Sequence, residues 1–179
     1  PSLIARFERM HADVVALGYA YMLIQWDACH TLRLPHACVR SRDVLFEFPR
    51  IPHEKFERWQ WSACDASYLY WFKTARARFE KYWIVEYDVV WTGRPSEFFR
   101  LIDVRYPHAD LVAPHVEMRL ENDSWAHIKE YVGVAPYPWK TTLVQMIRIS
   151  HWSMSKTVHE LRRSWRYCEA QIPSYSRTH

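Results

Sequence analysis

Glycine is scarce in this chain: three residues in 179, at Gly18, Gly93 and Gly133. So few leave little with which to build a glycine-rich phosphate cradle. The sequence also holds no G-x-S-x-G, no Walker-type loop and no G-x-G-x-x-G. Those gaps argue against serine hydrolases, P-loop enzymes and Rossmann dehydrogenases. No apolar run approaches the roughly 20 residues of a membrane-spanning helix, and there is no internal repeat or low-complexity tract. Four cysteines (Cys29, Cys38, Cys64 and Cys168) show no C-x-x-C spacing, and their wide scatter reads as reduced thiols more than a disulfide framework. That reading favours a reducing cytoplasm, with the secretory lumen left open should an N-terminal anchor have been removed. The chain does not begin with Met and opens inside a helical pattern, so it is expected to be a piece of something longer.

What is present is apolar and aromatic. The composition is 49% hydrophobic and 16% aromatic, with 10 Trp. This fits one globular domain over residues 1–179, with a thick core or a site that stacks on flat ligand faces. A formal charge of +4 and a pI near 8.9 favour anionic ligands only modestly, so no nucleic-acid partner is expected.

Periodicity places the elements. Leu3, Ile4, Phe7, Met10, Val14 and Leu17 recur at helical spacing after a Ser2 N-cap. "YAYMLIQWD" and the short "VLFEF" read as strands, and "WSACDASYLYWFKTARARFEKY" as a helix capped near Asp65. "YWIVEYDVVW" reads as a central strand covered on both faces. A short helix capped by Ser96, a strand in "ADLVAPHV", a strand in "TLVQMIRIS" and the amphipathic helix "SMSKTVHELRRSWRYC" follow. The end, "EAQIPSYSRTH", reads as irregular. Alternation of helices and strands predicts an α/β fold with a mainly parallel twisted sheet flanked by helices.

One stretch carries chemistry. "KYWIVEYDVVWTG" sets Glu86 and Asp88 two residues apart in an apolar strand. At that spacing both carboxylates face one side, about 7 Å apart along the strand. Two hard oxygen donors so placed suit a divalent cation shared with substrate phosphates. Ligands gather at the carboxyl ends of strands in open α/β sheets, and Trp91, Thr92 and Gly93 mark that end. The alternative is that both acids pair with arginines or cap the following helix.

"YWIVEYDVVWTGRPSEFF" resembles the metal-binding strand of GT-A-type nucleotide-sugar glycosyltransferases. It looks closest to a group of uncharacterised glycosyltransferase-like proteins with the pattern Y-W-x-I/V-E-Y-D-V-x-x-x-G-x-W-x-x-F-F. Further elements follow in the same order: "WSACDASYLYWF" resembles a W-x-x-x-D segment, "ADLVAP" a D-A-D-L strand, "MIRIS" an R-I/L-S segment and "WRYCEAQIPS" an E-x-x-x-P element. The resemblance runs from Tyr19 onward. It departs where Pro95 replaces the tryptophan after the glycine turn, and the first strand of a GT-A sheet would precede residue 1.

The resemblance implies a GT-A-like fold and transfer of a sugar from a nucleotide-sugar donor to an unknown acceptor. Asp88, with Glu86 as second ligand, would hold Mn²⁺ or Mg²⁺ against the diphosphate. Glu169 would be the general base, Asp65 would contact the nucleotide or the metal shell, and Arg148 would meet a phosphate. Bland roles stand beside these: a surface acid for Glu169, an N-cap for Asp65, a structural salt bridge for Arg148. A catalytically inactive relative, or a metal-dependent nuclease or phosphoesterase using the same carboxylates, are the competing functions. Three other groupings were weighed. Cys29, His30, His36 and Cys38 have no finger spacing, so packing is favoured over zinc. The helix carrying Arg162, Arg163, Trp165 and Arg166 reads as a solvated face more than a nucleic-acid reader. Trp125, Tyr131, Tyr137 and Trp139 offer a sugar-stacking wall or a self-packed loop.

Overall fold

The computed structural model describes residues 2–27, 29–55, 59–76, 78–119, 139–142, 145–165 and 168–175. In chain order the elements are α1 (Leu3–Val15), β1 (Leu23–Trp26), β2 (His36–Val39), α2 (Ser41–Glu47), α3 (Trp59–Ser62) and α4 (Ala66–Ala75). They continue with β3 (Lys81–Val85), α5 (Pro95–Arg105), β4 (Leu111–Val112), β5 (Val116–Arg119), β6 (Trp139–Thr142) and β7 (Met146–Ser150). Two helices close the chain, α6 (His151–Leu161) and α7 (Cys168–Tyr175). Ser2 caps α1 as expected, accepting from the Ala5 amide at 3.3 Å. Gly18 turns the chain beyond it at φ 84°, where an L side chain would be strained.

The mixture of helices and strands is as the alternation predicts, but the sheet is not. Only β1 and β2 run parallel, with Leu23 opposite His36 and Trp26 opposite Val39. β3, β7 and β4 form an antiparallel sheet in that order, with Tyr82 opposite Ile149 and Leu111 opposite Ile149 on the far side. β5 and β6 form a third, antiparallel pair. Among the described strands, the mainly parallel sheet is therefore not formed. Alternation fixes which elements occur, while strand direction depends on how the connections fold back. The expectation of a central "YWIVEYDVVW" strand also shifts: β7, buried at Ile147, Arg148 and Ile149, is central, and β3 lies at the edge of its sheet.

The core gathers on α4. Ala66, Leu69 and Phe72 meet Val39 of β2, Val44 and Phe48 at α2, Ile147 and Ile149 of β7, Met154 and Leu161 of α6, and Ile172 of α7. Two local expectations are corrected here. "VLFEF" is the end of α2, because Val44 and Phe48 lie four residues apart and both are fully buried, while Phe46 is 89% exposed. The terminal segment is helical through Tyr175 despite Pro173 inside it, with Gln171 and Ile172 buried against the core.

The cysteines also depart from expectation. Cys29 pairs with Cys38, and Cys64 with Cys168, at Cα separations of 5.3 and 5.7 Å. Sequence separations of 9 and 104 carry no spacing signal, so only folding reveals the partners. Cystine formation also removes Cys29 and Cys38 as zinc ligands. No described helix is long and apolar enough to cross a membrane.

Candidate functional site

β3 stops at Val85, and the acids follow in the turn beyond it. The Glu86 amide still donates to Gln145 O at 2.8 Å, and Val89 N donates back to Glu86 O at 3.3 Å. Strand alternation therefore does not govern Glu86 and Asp88. A turn sets their directions, leaving Asp88 exposed and Glu86 half-buried, which lessens the cost of burying two acids in an apolar strand.

Aromatic packing fixes both ends of this turn. Trp83 stacks on Phe99 of α5 with ring centroids 4.4 Å apart, and Trp91 meets the same ring edge-on at 5.4 Å. Pro95 starts α5 where its missing N–H costs nothing. Ser96, expected as the N-cap, lies inside the helix. Asp13 of α1 caps it instead, accepting from Ser96 N at 2.9 Å and from Arg94 Nε at 2.8 Å. Burial pushes the Asp13 carboxyl up, but the bonds from Ser96 and Arg94 outweigh this and leave it below its ordinary value. Arg6 of α1 completes the clamp, donating to Val89 O at 2.8 Å and Tyr87 O at 3.4 Å.

Glu86 and Asp88 line a cleft of about 1380 Å³, and Glu169 of α7 lines it too. Burial first, then the charges of Asp88 and Glu169, raise the Glu86 carboxyl above its ordinary value. Two carboxylates from mid-chain and one from near the C-terminus thus line one cleft. Arg9, exposed on α1, lines the same cleft. Tyr21, Trp61, Tyr68 and Trp71 supply aromatic wall. Arg9 and Tyr68 carry no motif, which is why the sequence did not single them out.

Asp65 occupies the N-cap position of α4, but its side chain makes no capping bond. It is buried, both carboxyl oxygens lack a hydrogen-bond partner, and burial pushes it up to about 7, partly opposed by the nearby amides of Asp65 and Ala66. Arg148 takes the bland role: fully buried on β7, it donates to Asp103 Oδ1 at 2.8 Å and to the carbonyls of Tyr106 and Ala109. Its guanidinium is committed to the junction of α5 and β4.

On the basic helix, Arg162 pairs with Glu47 and Lys156 with Glu160 at 2.7 Å. Trp165 is only 3% exposed, so it offers no stacking platform. Arg166, Trp125, Tyr131 and Tyr137 lie outside the described residues, and Trp139 falls on β6.

Among the described residues, no three His, Cys, Asp or Glu side chains gather closely enough to hold a metal ion by themselves. Mg²⁺-type sites commonly use one or two protein carboxylates and complete the shell with phosphates and water. The hard oxygen donors of Glu86 and Asp88 fit that arrangement. Comparison with family models, curated proteins and solved structures gives no match.

Proposed function

We propose that this chain is a metal-dependent glycosyltransferase-like domain taking a nucleotide sugar as donor, with an acceptor yet to be identified. The observation that carries it is the meeting of Glu86, Asp88 and Glu169 on one cleft, although 81 residues separate Asp88 from Glu169 (169 − 88). The resemblance implies a role for each of these three. Asp88, with Glu86 beside it, would hold Mn²⁺ or Mg²⁺. A bound ion would supply Lewis-acid stabilisation of the charge left on the departing diphosphate.

The protein's own groups divide the remaining work. Arg9 provides a positive rim for phosphate oxygens, and Arg6 holds the acidic turn by its carbonyls. The Glu169 carboxylate would take the proton of the acceptor hydroxyl as that oxygen attacks. Aromatic walls orient the flat ligand faces and exclude water. The two cystines favour a compartment where disulfides persist, the secretory lumen over a reducing cytoplasm.

Calorimetric titration with UDP- and GDP-sugars, with and without Mn²⁺, tests this reading. Wild type is expected to bind one of them only with Mn²⁺, and Asp88→Asn to lose that binding while melting normally. Unchanged binding by Asp88→Asn sinks the metal assignment. The runner-up is an inactive relative that binds the donor without turning it over. Mn²⁺-dependent binding with no hydrolysis or transfer would select it.

A further inference from the structure

α4 turns one face toward the acidic cleft. Cys64, Ser67, Tyr68 and Trp71 all line it, at the spacing of neighbouring turns of one helix. Tyr68 is 7% exposed, and its hydroxyl has no hydrogen-bond partner. Asp65, three residues earlier, leaves two carboxyl oxygens unpartnered but is buried behind the cleft wall and does not line it. The Tyr68 hydroxyl feels the charges of both Asp65 and Glu86, and burial with those charges raises it well above its ordinary value. Buried polar groups are nearly always bonded. The Tyr68 hydroxyl, unpartnered on a residue that lines the cleft, therefore awaits a partner that enters it.

The chemistry of the set restricts that partner. Beside the phenol, the charge of Glu86 repels any phosphate that no metal ion screens, so the phosphates belong with the metal and toward Arg9. An apolar ligand would leave the phenol unsatisfied, at a cost in free energy. A ring with an apolar face and a rim of hydroxyls meets both demands. Its hydroxyls donate to carboxyl oxygens and accept from the phenol, while its C–H face lies against the Trp71 wall.

We propose that Tyr68 and Glu86 form a subsite for the vicinal hydroxyls of a sugar ring, with Tyr68 as a ligand-binding residue. The choice of probe rests on the nucleotide-sugar reading above. The ring is either the nucleotide ribose or the transferred sugar, and both present the same diol.

The test is calorimetric titration of wild type and Tyr68→Phe with Mn²⁺ and UDP-glucose, GDP-mannose, UDP, 2′-deoxy-UDP, and free glucose or mannose. Tyr68→Phe removes only an unpartnered hydroxyl, so its melting temperature is expected to hold or rise. Its affinity for the nucleotide sugar is expected to fall about tenfold, the effect of losing one good hydrogen bond. A loss confined to nucleotide sugars assigns the diol to the transferred sugar. An equal loss for UDP, absent for 2′-deoxy-UDP, assigns it to the ribose. Wild-type affinity of Tyr68→Phe for every probe overturns the subsite and leaves the transferase reading standing. Tyr68-dependent binding of free monosaccharide, with no nucleotide bound by wild type, overturns the transferase reading and keeps the subsite. Failure of wild type to bind any probe overturns both.

Discussion

Cys64 is bonded to Cys168 across 104 residues of chain, with their Cα atoms 5.7 Å apart. The next residue after each is an acid of the candidate site, Asp65 and Glu169. The cystine thus ties the start of α4 to the start of α7, and with it the C-terminal carboxylate to the wall of the cleft.

Loop closure makes the two disulfides unequal. By the chain-entropy relation, a loop of about 100 residues gains about 4.7 kcal/mol from its crosslink, and one of nine residues about 2.6. The Cys64→Ser/Cys168→Ser variant is therefore expected to lose about 2 kcal/mol more than Cys29→Ser/Cys38→Ser. Urea denaturation of both variants under oxidising conditions measures the difference. Equal losses would show that the long crosslink does not constrain the unfolded chain.

Asp65 gives stability a pH slope of its own. Its ordinary value is 3.8 and burial raises it to about 7, so across that window the folded state binds more protons than the unfolded one. Stability is fullest below about 4 and falls as pH rises toward 7. Tyr68 feels this group's charge, and Glu86 is raised separately by burial and by Asp88 and Glu169. The informative comparison is therefore with Asp65→Asn, which keeps Glu86 and removes only this slope. Denaturation midpoints at pH 5 and pH 8 are expected to separate the two proteins, with the variant relatively more stable at pH 8. Parallel curves would reject the shift.

Arg148 anchors the junction of α5 and β4 through Asp103. Asp103→Asn removes the partner charge and leaves the guanidinium buried. Breaking a fully enclosed pair costs about 3 to 5 kcal/mol. Because the Asp103 side chain is 29% exposed, about 2 to 3 kcal/mol is expected here. Arg148→Met, which removes the charge itself, is expected to cost less than Asp103→Asn. The reverse order in thermal denaturation would contradict this account.

Phe99 is the ring on which both tryptophans flanking the acidic turn rest. Phe99→Ala is expected to cost about 3 kcal/mol through the cavity it leaves. It is also expected to weaken Mn²⁺-dependent nucleotide-sugar binding at a temperature where the variant is still folded. Unaltered binding under those conditions would show that the turn holds its acids without this packing.

Much of the local structure was legible. Ser2, the α1 periodicity and the presence of α5 and α6 followed from spacing, because helix signals act within a few residues. The cap of α5 comes from Asp13 of α1, and α6 stops at Leu161, short of Cys168. Glu86 and Asp88 stood out as acids in an apolar run. Their placement in a turn did not, because strand ends depend on where Gln145 stops pairing. α2 was mistaken for a strand because a five-residue apolar run has no period of its own. Only the burial of Val44 and Phe48 on one side decides it.

The sequence by itself determined a mixed α/β chain with a thick aromatic core, and it marked the acids that the cleft later brings into view. Tertiary structure alone decided the antiparallel order of β3, β7 and β4, the two cystines, the burial of Arg148 and the unpartnered Asp65 and Tyr68. The division has one physical cause. Propensity and periodicity are set by neighbours along the chain. Strand direction, thiol pairing, desolvation and the approach of Glu169 to Glu86 are set by residues up to 104 positions apart, whose contacts exist only once the chain has folded.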